Sequence, residues 1–311
     1  MQRLFTGLQP SGALHIGNYF GVLKPLVEML PSHDSMVMVA DYHALTTLKD
    51  SAQMNKNIKD VVRDYVAVGI DPEQAIIFKQ SDVPEHTELT WIFNTLITMA
   101  FLELAHAYKD KEARGLVTNV GLFDYPVLMA CDILLYDTDV VPVGQDQQQH
   151  LEYTREIAAK FNNAYGETFK EPQEKILKSV AIVPGTDGKK MSKSYGNIIP
   201  LFGSKEEIKK TVMGIITDSS GESPENVYNI HALFKSREEL ASLYKANKGN
   251  YKASKDALTE DIEAMIAPMR EKRDSISDAD VVRILKDGGE KARERASKKM
   301  VDVRKKIGVS L

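Results

Sequence analysis

The sequence has a single cysteine among its 311 residues, and this scarcity excludes two kinds of site. One thiol, that of Cys131, can form neither an internal disulfide nor a cysteine-cluster zinc or iron–sulfur centre. The seven histidines lack metal-ligand spacing, so the sequence predicts no structural metal. No apolar run approaches the ~20 residues that cross a membrane, and the chain starts on a strand-like run instead of a signal peptide. We therefore expect a cytoplasmic protein without a membrane partner.

The composition is that of an ordinary globular protein, with 43% apolar and 27% charged residues. This length allows one large domain or two moderate ones. The net charge of −4 is distributed unevenly, because residues 1–200 have a net charge of −7 and residues 201–311 one of +3. A phosphate-rich partner such as RNA would be better tolerated by the carboxy-terminal part.

Alternating strand-like and helical segments predict an α/β fold. Strand-like runs occur at 3–7, 35–40, 75–80 and 139–144, and helical spacing follows Asp50 or Ser51. This alternation indicates a Rossmann-like doubly wound parallel sheet, whose ligands bind beyond the carboxyl ends of the strands. Gly7, Asp41 and Gly144 would lie at that edge.

The character of the sequence changes near residue 204, after which amphipathic helices dominate. We expect a catalytic domain over 1–203, with a short connecting insertion at about 100–125, and an α-helical domain over 204–311. The last helix has an apolar stripe that predicts packing on the body of the protein, formed by Ala292, Ala296, Met300, Val303 and Ile307.

The string His15-Ile16-Gly17-Asn18 lies where the first strand turns into a helix. A helix amino terminus presents unpaired N–H groups and a partial positive charge, so such a turn favours an anion. His15 and the amide of Asn18 could donate hydrogen bonds to a phosphate. The preceding loop adds further polar candidates, namely Gln9, Pro10 and Ser11.

A second string, Lys190-Met191-Ser192-Lys193-Ser194, lies in a polar segment at 186–197 that we call the lysine loop. Its glycines and serines predict a mobile loop. Lysines on such a loop can close on phosphates as negative charge develops, with assistance from Lys109 or Lys111. Taken alone, the first string also fits a strand–helix turn without a ligand, and the second also fits a solvated surface loop. The two strings in this order, about 175 residues apart, indicate an ATP site far more specifically.

The two strings resemble the HIGH and KMSKS signatures of class I aminoacyl-tRNA synthetases, with Asn18 in place of the last histidine. Across essentially the whole chain, the sequence resembles bacterial tryptophanyl-tRNA synthetases. This second resemblance rests on 7–19, 128–136, 141–150 and 217–219. One departure is Tyr195-Gly196-Asn197, where many members have an Asp-containing turn, so the mobility of the loop stays open.

The resemblance implies roles for individual residues. Asp132 would accept the indole N–H, a group that can only donate, and Phe5, Met129, Val141 and Val143 would line the indole pocket. Around the rest of the amino acid it implies Gly7, His43, Tyr125 and Gln147. Around ATP it implies Gly17, Gly144, Gln145, Asp146, Ile182, Met191, Ser192 and Ser194; an acidic side chain at 146 suits ribose hydroxyls.

The resemblance implies a ligase that joins L-tryptophan to tRNA(Trp) and uses Mg²⁺-bound ATP. The resemblance further implies a homodimer, with tRNA contacts across its interface and anticodon recognition by the carboxy-terminal helices. Three alternatives stay open at this stage: a tyrosyl-tRNA synthetase, an adenylyltransferase that acts on a small metabolite, and a non-catalytic paralogue that binds RNA or senses tryptophan.

Overall fold

A computed structural model of the chain describes residues 1–104, 119–143, 148–176, 183–217 and 224–310. Their centre is a five-stranded sheet in the order β3-β2-β1-β4-β5, with every neighbouring pair parallel. The chain order reverses between β1 and β4, which is the position where open parallel sheets bind ligands. The predicted doubly wound sheet is therefore confirmed. The strands are β1 (Gln2–Leu8), β2 (His33–Val39), β3 (Ala75–Lys79), β4 (Val140–Val143) and β5 (Gln173–Ile176).

Helices follow the strands and then form the carboxy-terminal part. Those up to β5 are α1 (Ile16–Asn18), α2 (Lys24–Met29), α3 (Asp41–Ala44), α4 (Ser51–Ala67), α5 (Glu85–Asn94), α6 (Met99–Leu102), α7 (Val120–Leu134) and α8 (Gln148–Tyr165). Those after it are α9 (Lys205–Met213), α10 (Glu225–His231), α11 (Arg237–Ala246), α12 (Tyr251–Ser275) and α13 (Asp278–Lys306). A π-helical turn (Tyr19–Leu23) joins α1 to α2, and 3-10 turns occur at Leu30–Ser32, Gln80–Asp82 and Lys193–Tyr195.

The predicted strands lie within one or two residues of β1 to β4, because these strands carry the apolar, β-branched runs that a buried sheet needs. The predicted cap of α4 is also present, since the side chain of Asp50 accepts a hydrogen bond from the Gln53 amide at 3.0 Å. No strand-like pattern in the sequence predicts β5. Its sequence, Gln-Glu-Lys-Ile, is polar because it lies at the end of the sheet, where charged residues are common.

The carboxy-terminal helices pack on the sheet and its flanking helices. The predicted stripe on α13 lies in the same apolar cluster as sheet residues such as Phe5 and Val141, with Ala292, Ala296, Met300 and Val303 buried and Ile307 packed against them. A second cluster joins α4 to α9 and α12. The division into domains at residue 203 stays a prediction. At the predicted insertion, α7 already begins at Val120, and residues 105–118 lie outside the described part.

Two adjacent glycines bring α13 against the outer strand β3. A Cβ atom on Gly288 would lie 1.8 Å from the carbonyl oxygen of Ile77, whereas one on Gly289 would meet the Cβ of Asp82 at 3.3 Å, a tight contact that a shift of a few tenths of an ångström relieves. The absence of a side chain at 288 therefore allows direct backbone contact between helix and sheet.

This contact predicts that two glycine-to-alanine substitutions at adjacent positions change stability by different amounts. Alanine normally favours a helix over glycine by about 1 kcal/mol. We expect Gly288→Ala to lower the free energy of unfolding by about 2 kcal/mol or more, because α13 must move away from β3. Gly289→Ala should stay within about 1 kcal/mol of the wild type. Urea denaturation of both variants measures this, and equal stabilities would contradict the close approach.

Within the described ranges, we find no helix whose length and apolar character would let it cross a membrane.

Candidate active site

The first predicted motif lies at the carboxyl end of β1. His15 precedes α1 with extended backbone, and its N–H donates to Oδ1 of Asn18 at 3.1 Å, which fixes the amide that was predicted to face a phosphate. The His15 side chain is buried, and its Nδ1 has no hydrogen-bond partner among the described residues. A buried ring nitrogen without a partner costs free energy in the isolated chain, so it is a position where a ligand could supply the missing hydrogen bond.

His15 is neutral at physiological pH. Burial, with a contribution from the positive charge of Lys193, lowers the pKa of its imidazole to about 4. The ring lies directly over Gly17, because a Cβ there would be 2.8 Å from Nδ1. The motif therefore needs glycine at this position, and a neutral imidazole can approach the lysine ammonium without charge repulsion.

The lysine loop is organised by one buried side chain, that of Asn197. Its Oδ1 accepts from the Ser192 amide at 2.8 Å, and its Nδ2 donates to the Lys190 carbonyl at 3.0 Å and to Asp187 Oδ1 at 2.7 Å. Met191 is buried in the core, while Lys190 and Lys193 are exposed. The loop is thus anchored at Met191 and Asn197, and the side chains of Lys190 and Lys193 stay accessible to a ligand. Its predicted mobility stays a prediction.

The structure brings the two motifs together. Nζ of Lys193 lies 3.3 Å from the carbonyl oxygen of Ser11 and 3.2 Å from that of Gly12. The segment after the loop pairs with the helix start, since the Ile16 amide donates to the Ile199 carbonyl at 3.0 Å. Residues that are far apart in sequence therefore surround one space at the end of β1.

The other predicted ATP residues lie partly here. Pro10 is buried, and its carbonyl accepts from the side chain of Asn57 at 2.8 Å, whereas Gln9 and Ser11 are exposed. The hydroxyls of Ser192 and Ser194 are 2.8 Å apart. Several predicted residues lie outside the described part of the chain: Lys109, Lys111, Gly144, Gln145, Asp146, Gln147 and Ile182.

Asp132 is the centre of a buried polar cluster, which we call the carboxylate cluster: Asp132, His43, Gln80, His86 and Tyr136. The carboxylate is 2% exposed, and its Oδ2 accepts from Nε2 of His43 at 2.8 Å. Nε2 of Gln80 lies 2.8 Å from Oδ1 and 3.0 Å from Oδ2. Burial alone would raise the pKa of Asp132, but the hydrogen bond from His43 and the nearby His86 outweigh it and lower that pKa below its usual value. Asp132 is therefore an ionised acceptor.

The residues predicted to line the indole pocket lie on α7 and in the apolar cluster of the sheet. Met129 lies one helical turn before Asp132 on α7, and Tyr125 one turn before Met129, so the three share a helix face. The ring of Tyr125 packs edge-on against that of His43, with 6.3 Å between centroids. Phe5, Val141 and Val143 are buried in the apolar cluster against which Met129 packs. Gly7 is the penultimate residue of β1, and the role of all these residues in binding the amino acid stays a prediction.

In the part of the chain that the structure describes, no three histidine, cysteine or acidic side chains come together as a metal site would require.

Comparisons with known proteins show the family of the chain. The family described as "tRNA synthetases class I (W and Y)" matches residues 1–279. A tryptophan–tRNA ligase from Fusobacterium nucleatum is 48% identical over 99% of this chain and 98% of its own length. One from Rhodopirellula baltica is 43% identical over 99% of each chain. A crystal structure of tryptophanyl-tRNA synthetase from Campylobacter jejuni, described as complexed with ADP and tryptophan, superposes with a TM-score of 0.94 at 42% identity, covering 99% of this chain and 100% of that one.

The chain belongs to the class I tRNA synthetases. This class I synthetase has the Rossmann-like sheet and carboxy-terminal helices expected from its sequence, and it is an enzyme.

No motif in the sequence indicates that four further residues belong to the site: Gln80, His86, Tyr136 and Asn197. The first three come from different elements, and only tertiary packing places them around Asp132. Gln80 and His86 follow β3 closely, and polar residues at the carboxyl end of a parallel strand are a signal that could have indicated the site. Asn197 was noted only as a departure from a family pattern.

Proposed function

We propose that this class I synthetase is a tryptophan–tRNA ligase. The observation that carries the specificity is the ionised, buried carboxylate of Asp132 beside the apolar side chains of Phe5, Met129 and Val141. An indole offers a flat apolar surface and one N–H donor, and an ionised acceptor among apolar side chains complements both features. The relatives from F. nucleatum, R. baltica and C. jejuni carry the same assignment.

Activation of the amino acid would take place between the two motifs. A carboxylate oxygen of tryptophan attacks the α-phosphorus of Mg²⁺-bound ATP, the bond to the β-phosphate oxygen breaks, and pyrophosphate leaves. Lys190 and Lys193 would stabilise the charge that develops on the leaving group, because a positioned ammonium needs no reorganisation as the charge grows. His15 and Asn18 would donate hydrogen bonds to phosphate oxygens from the start of α1.

The second step transfers the activated acyl group. A terminal ribose hydroxyl of tRNA(Trp) attacks the carbonyl carbon of tryptophanyl-adenylate, the bond between that carbon and the phosphate oxygen breaks, and AMP leaves with the hydroxyl proton on its phosphate. We assign tRNA binding to the carboxy-terminal helices, whose sequence has a net positive charge. We also propose that the enzyme acts in the cytoplasm, since charged tRNA is used there in translation.

The decisive experiment is ATP–pyrophosphate exchange with each of two amino acids, followed by charging of a tRNA(Trp) transcript. We expect L-tryptophan to support exchange and L-tyrosine to give background. Tyrosine alone supporting exchange would show a tyrosyl-tRNA synthetase. Absence of both exchange and charging would show a non-catalytic paralogue.

We further propose that the ligase forms a homodimer through α5, α6 and α7. These helices pack against one another and expose large apolar side chains, with Trp91 73% and Val120 81% exposed, and Met99 and Leu104 also exposed. A cluster of exposed apolar side chains on adjacent helices indicates a protein interface.

Trp91→Glu should weaken this dimer at least ~30-fold, the effect of losing an aromatic interface residue worth about 2 kcal/mol. Sedimentation velocity over a concentration series measures the change. Val301→Glu replaces an equally exposed residue on α13 and should leave the association constant unchanged. A Trp91→Glu protein that dimerises like the wild type would exclude this surface.

A further inference from the structure

A second buried histidine contacts the carboxylate of Asp132 from α5. His86 is fully buried, and its Nδ1 lies 2.6 Å from Oδ1 of Asp132. On the other side of the ring, Nε2 lies 2.8 Å from the hydroxyl of Tyr136. The ring of Phe78 stacks on the imidazole at 6.2 Å with an interplanar angle of 24°. The histidine is therefore held on both nitrogens and on one face.

The contacts of His86 assign its proton to Nδ1. Burial raises the pKa of the Tyr136 hydroxyl well above its usual value, so this group keeps its proton and can donate to Nε2. With Nε2 as acceptor, the ring carries its hydrogen on Nδ1. A bare ring nitrogen 2.6 Å from a carboxylate oxygen would be repelled. Nδ1 makes no regular hydrogen bond, so the 2.6 Å contact restrains Asp132 mainly through electrostatic attraction.

The protein side chains leave the carboxylate little freedom. Its two oxygens offer about four lone-pair positions, and three protein donors, those of His43, Gln80 and His86, take about three of them and leave one for a ligand. Because both oxygens are engaged, the carboxylate cannot rotate without losing a contact. An acceptor that cannot rotate can be aimed at a single donor from a ligand.

We infer that His86, supported by Tyr136, is a positioning residue that aims Asp132 at the indole N–H of tryptophan. This inference rests on the proposed function, and His86 itself has no contact with the substrate. Its role would be to make the enzyme discriminate between tryptophan and an otherwise similar amino acid whose ring lacks the N–H. When a ligand without the N–H binds, a fixed acceptor has no donor to pair with. The free-energy cost of the unpaired acceptor makes the site discriminate against that ligand.

The carboxy-terminal helices contain a matched control with the same chemistry. His231 is also fully buried, with Nε2 2.7 Å from Asp261 Oδ2 and Nδ1 3.2 Å from the Tyr244 hydroxyl. This second aspartate–histidine–tyrosine cluster spans α10, α11 and α12, remote in the chain from the candidate site. Equivalent changes in the two clusters separate a positioning effect from a general loss of stability.

The test compares His86→Leu, His86→Asn, Tyr136→Phe and His231→Leu as full-length enzymes. His86→Asn keeps an amide N–H near the position of Nδ1, while His86→Leu removes both polar contacts. For each variant, ATP–pyrophosphate exchange gives kcat and KM for tryptophan. The same assay with L-3-(3-benzothienyl)alanine, which has sulfur in place of the indole N–H, gives the discrimination ratio. Thermal unfolding verifies that each variant is folded.

We expect His86→Leu to raise KM for tryptophan about tenfold and to lower the discrimination ratio by a similar factor, the effect of a misdirected hydrogen bond. Its kcat should change less than about threefold, because the reacting atoms are not touched. His86→Asn should recover most of both parameters. Tyr136→Phe should give a smaller change of the same sign, and it decides the question if His86→Leu does not fold. His231→Leu should lower stability alone.

Two results would overturn the inference: wild-type KM and discrimination in folded His86→Leu or Tyr136→Phe, or equal losses of discrimination in His231→Leu. Failure of the proposed function is a different observation, because the wild-type enzyme itself would then show no exchange with tryptophan.

Discussion

Replacement of Lys193 by alanine is expected to lower kcat for tryptophan-dependent ATP–pyrophosphate exchange about 100- to 1000-fold, the effect of removing one group that stabilises transition-state charge. KM for tryptophan should stay within about twofold, because an interaction made only in the transition state does not contribute to ground-state binding.

The geometry explains why this lysine should be so important. Nζ of Lys193 reaches across from the lysine loop to the carbonyl oxygens of Ser11 and Gly12, next to the start of α1. Two neutral carbonyls hold an ammonium less strongly than phosphate oxygens would. A triphosphate bound at the start of α1 would therefore replace the two carbonyls as the partner of the Lys193 ammonium. The lysine already lies within reach of the phosphates before they bind.

The control for this prediction is Lys189→Ala, which removes an exposed lysine from the same loop and should keep wild-type kcat. The measurement is steady-state exchange with saturating ATP and varied tryptophan. If Lys193→Ala retained full kcat while Lys189→Ala lost it, the charge stabilisation would belong to a different part of the loop.

Asp132→Asn should lower kcat/KM for tryptophan about 1000-fold or more, because sites built to pair a polar group discriminate strongly once that pairing is lost. An amide presents N–H donors on one side where the carboxylate presented only acceptors. Whichever way the amide is oriented, its NH₂ faces a donor, either His43 on one side or His86 on the other. The substitution should also lower the free energy of unfolding by about 1–3 kcal/mol.

Asp261→Asn provides the matched comparison, since Asp261 contacts the buried His231 in the carboxy-terminal helices. We expect it to lose stability while keeping wild-type kinetics in the exchange assay. Urea denaturation and steady-state kinetics on both variants separate the two effects. Nearly unchanged kcat/KM in a folded Asp132→Asn enzyme would mean that the indole N–H is recognised elsewhere.

Much of the fold could be predicted because its signals are local. β1 to β4 are short apolar runs, and the cap of α4 is a single Asp50 at the expected position. β5 could not be predicted in this way, since its polar residues resemble those of a loop and its register comes from pairing with β4. The tight contact of α13 at Gly288 was equally invisible, because only the packed structure shows what a side chain would strike.

The candidate site likewise contains residues that the sequence indicates and residues that it does not indicate. Asp132 and His43 came from resemblance to a family, and the structure places them in hydrogen-bond contact. Gln80, His86 and Tyr136 carry no motif, because their function depends on distances between elements that the order of residues does not encode. The role of polar side chains in a buried cluster can be recognised only when the packing that excludes water from them is known.

The contact between α13 and β3 has a consequence for biosynthesis. The outer strand emerges from the ribosome about 200 residues before the helix that covers it. Throughout that interval the nascent polypeptide has an uncovered strand, which can pair with similar strands on neighbouring chains of the same polysome. Translation of α13 ends this period of vulnerability, so a segment made late protects a strand made early.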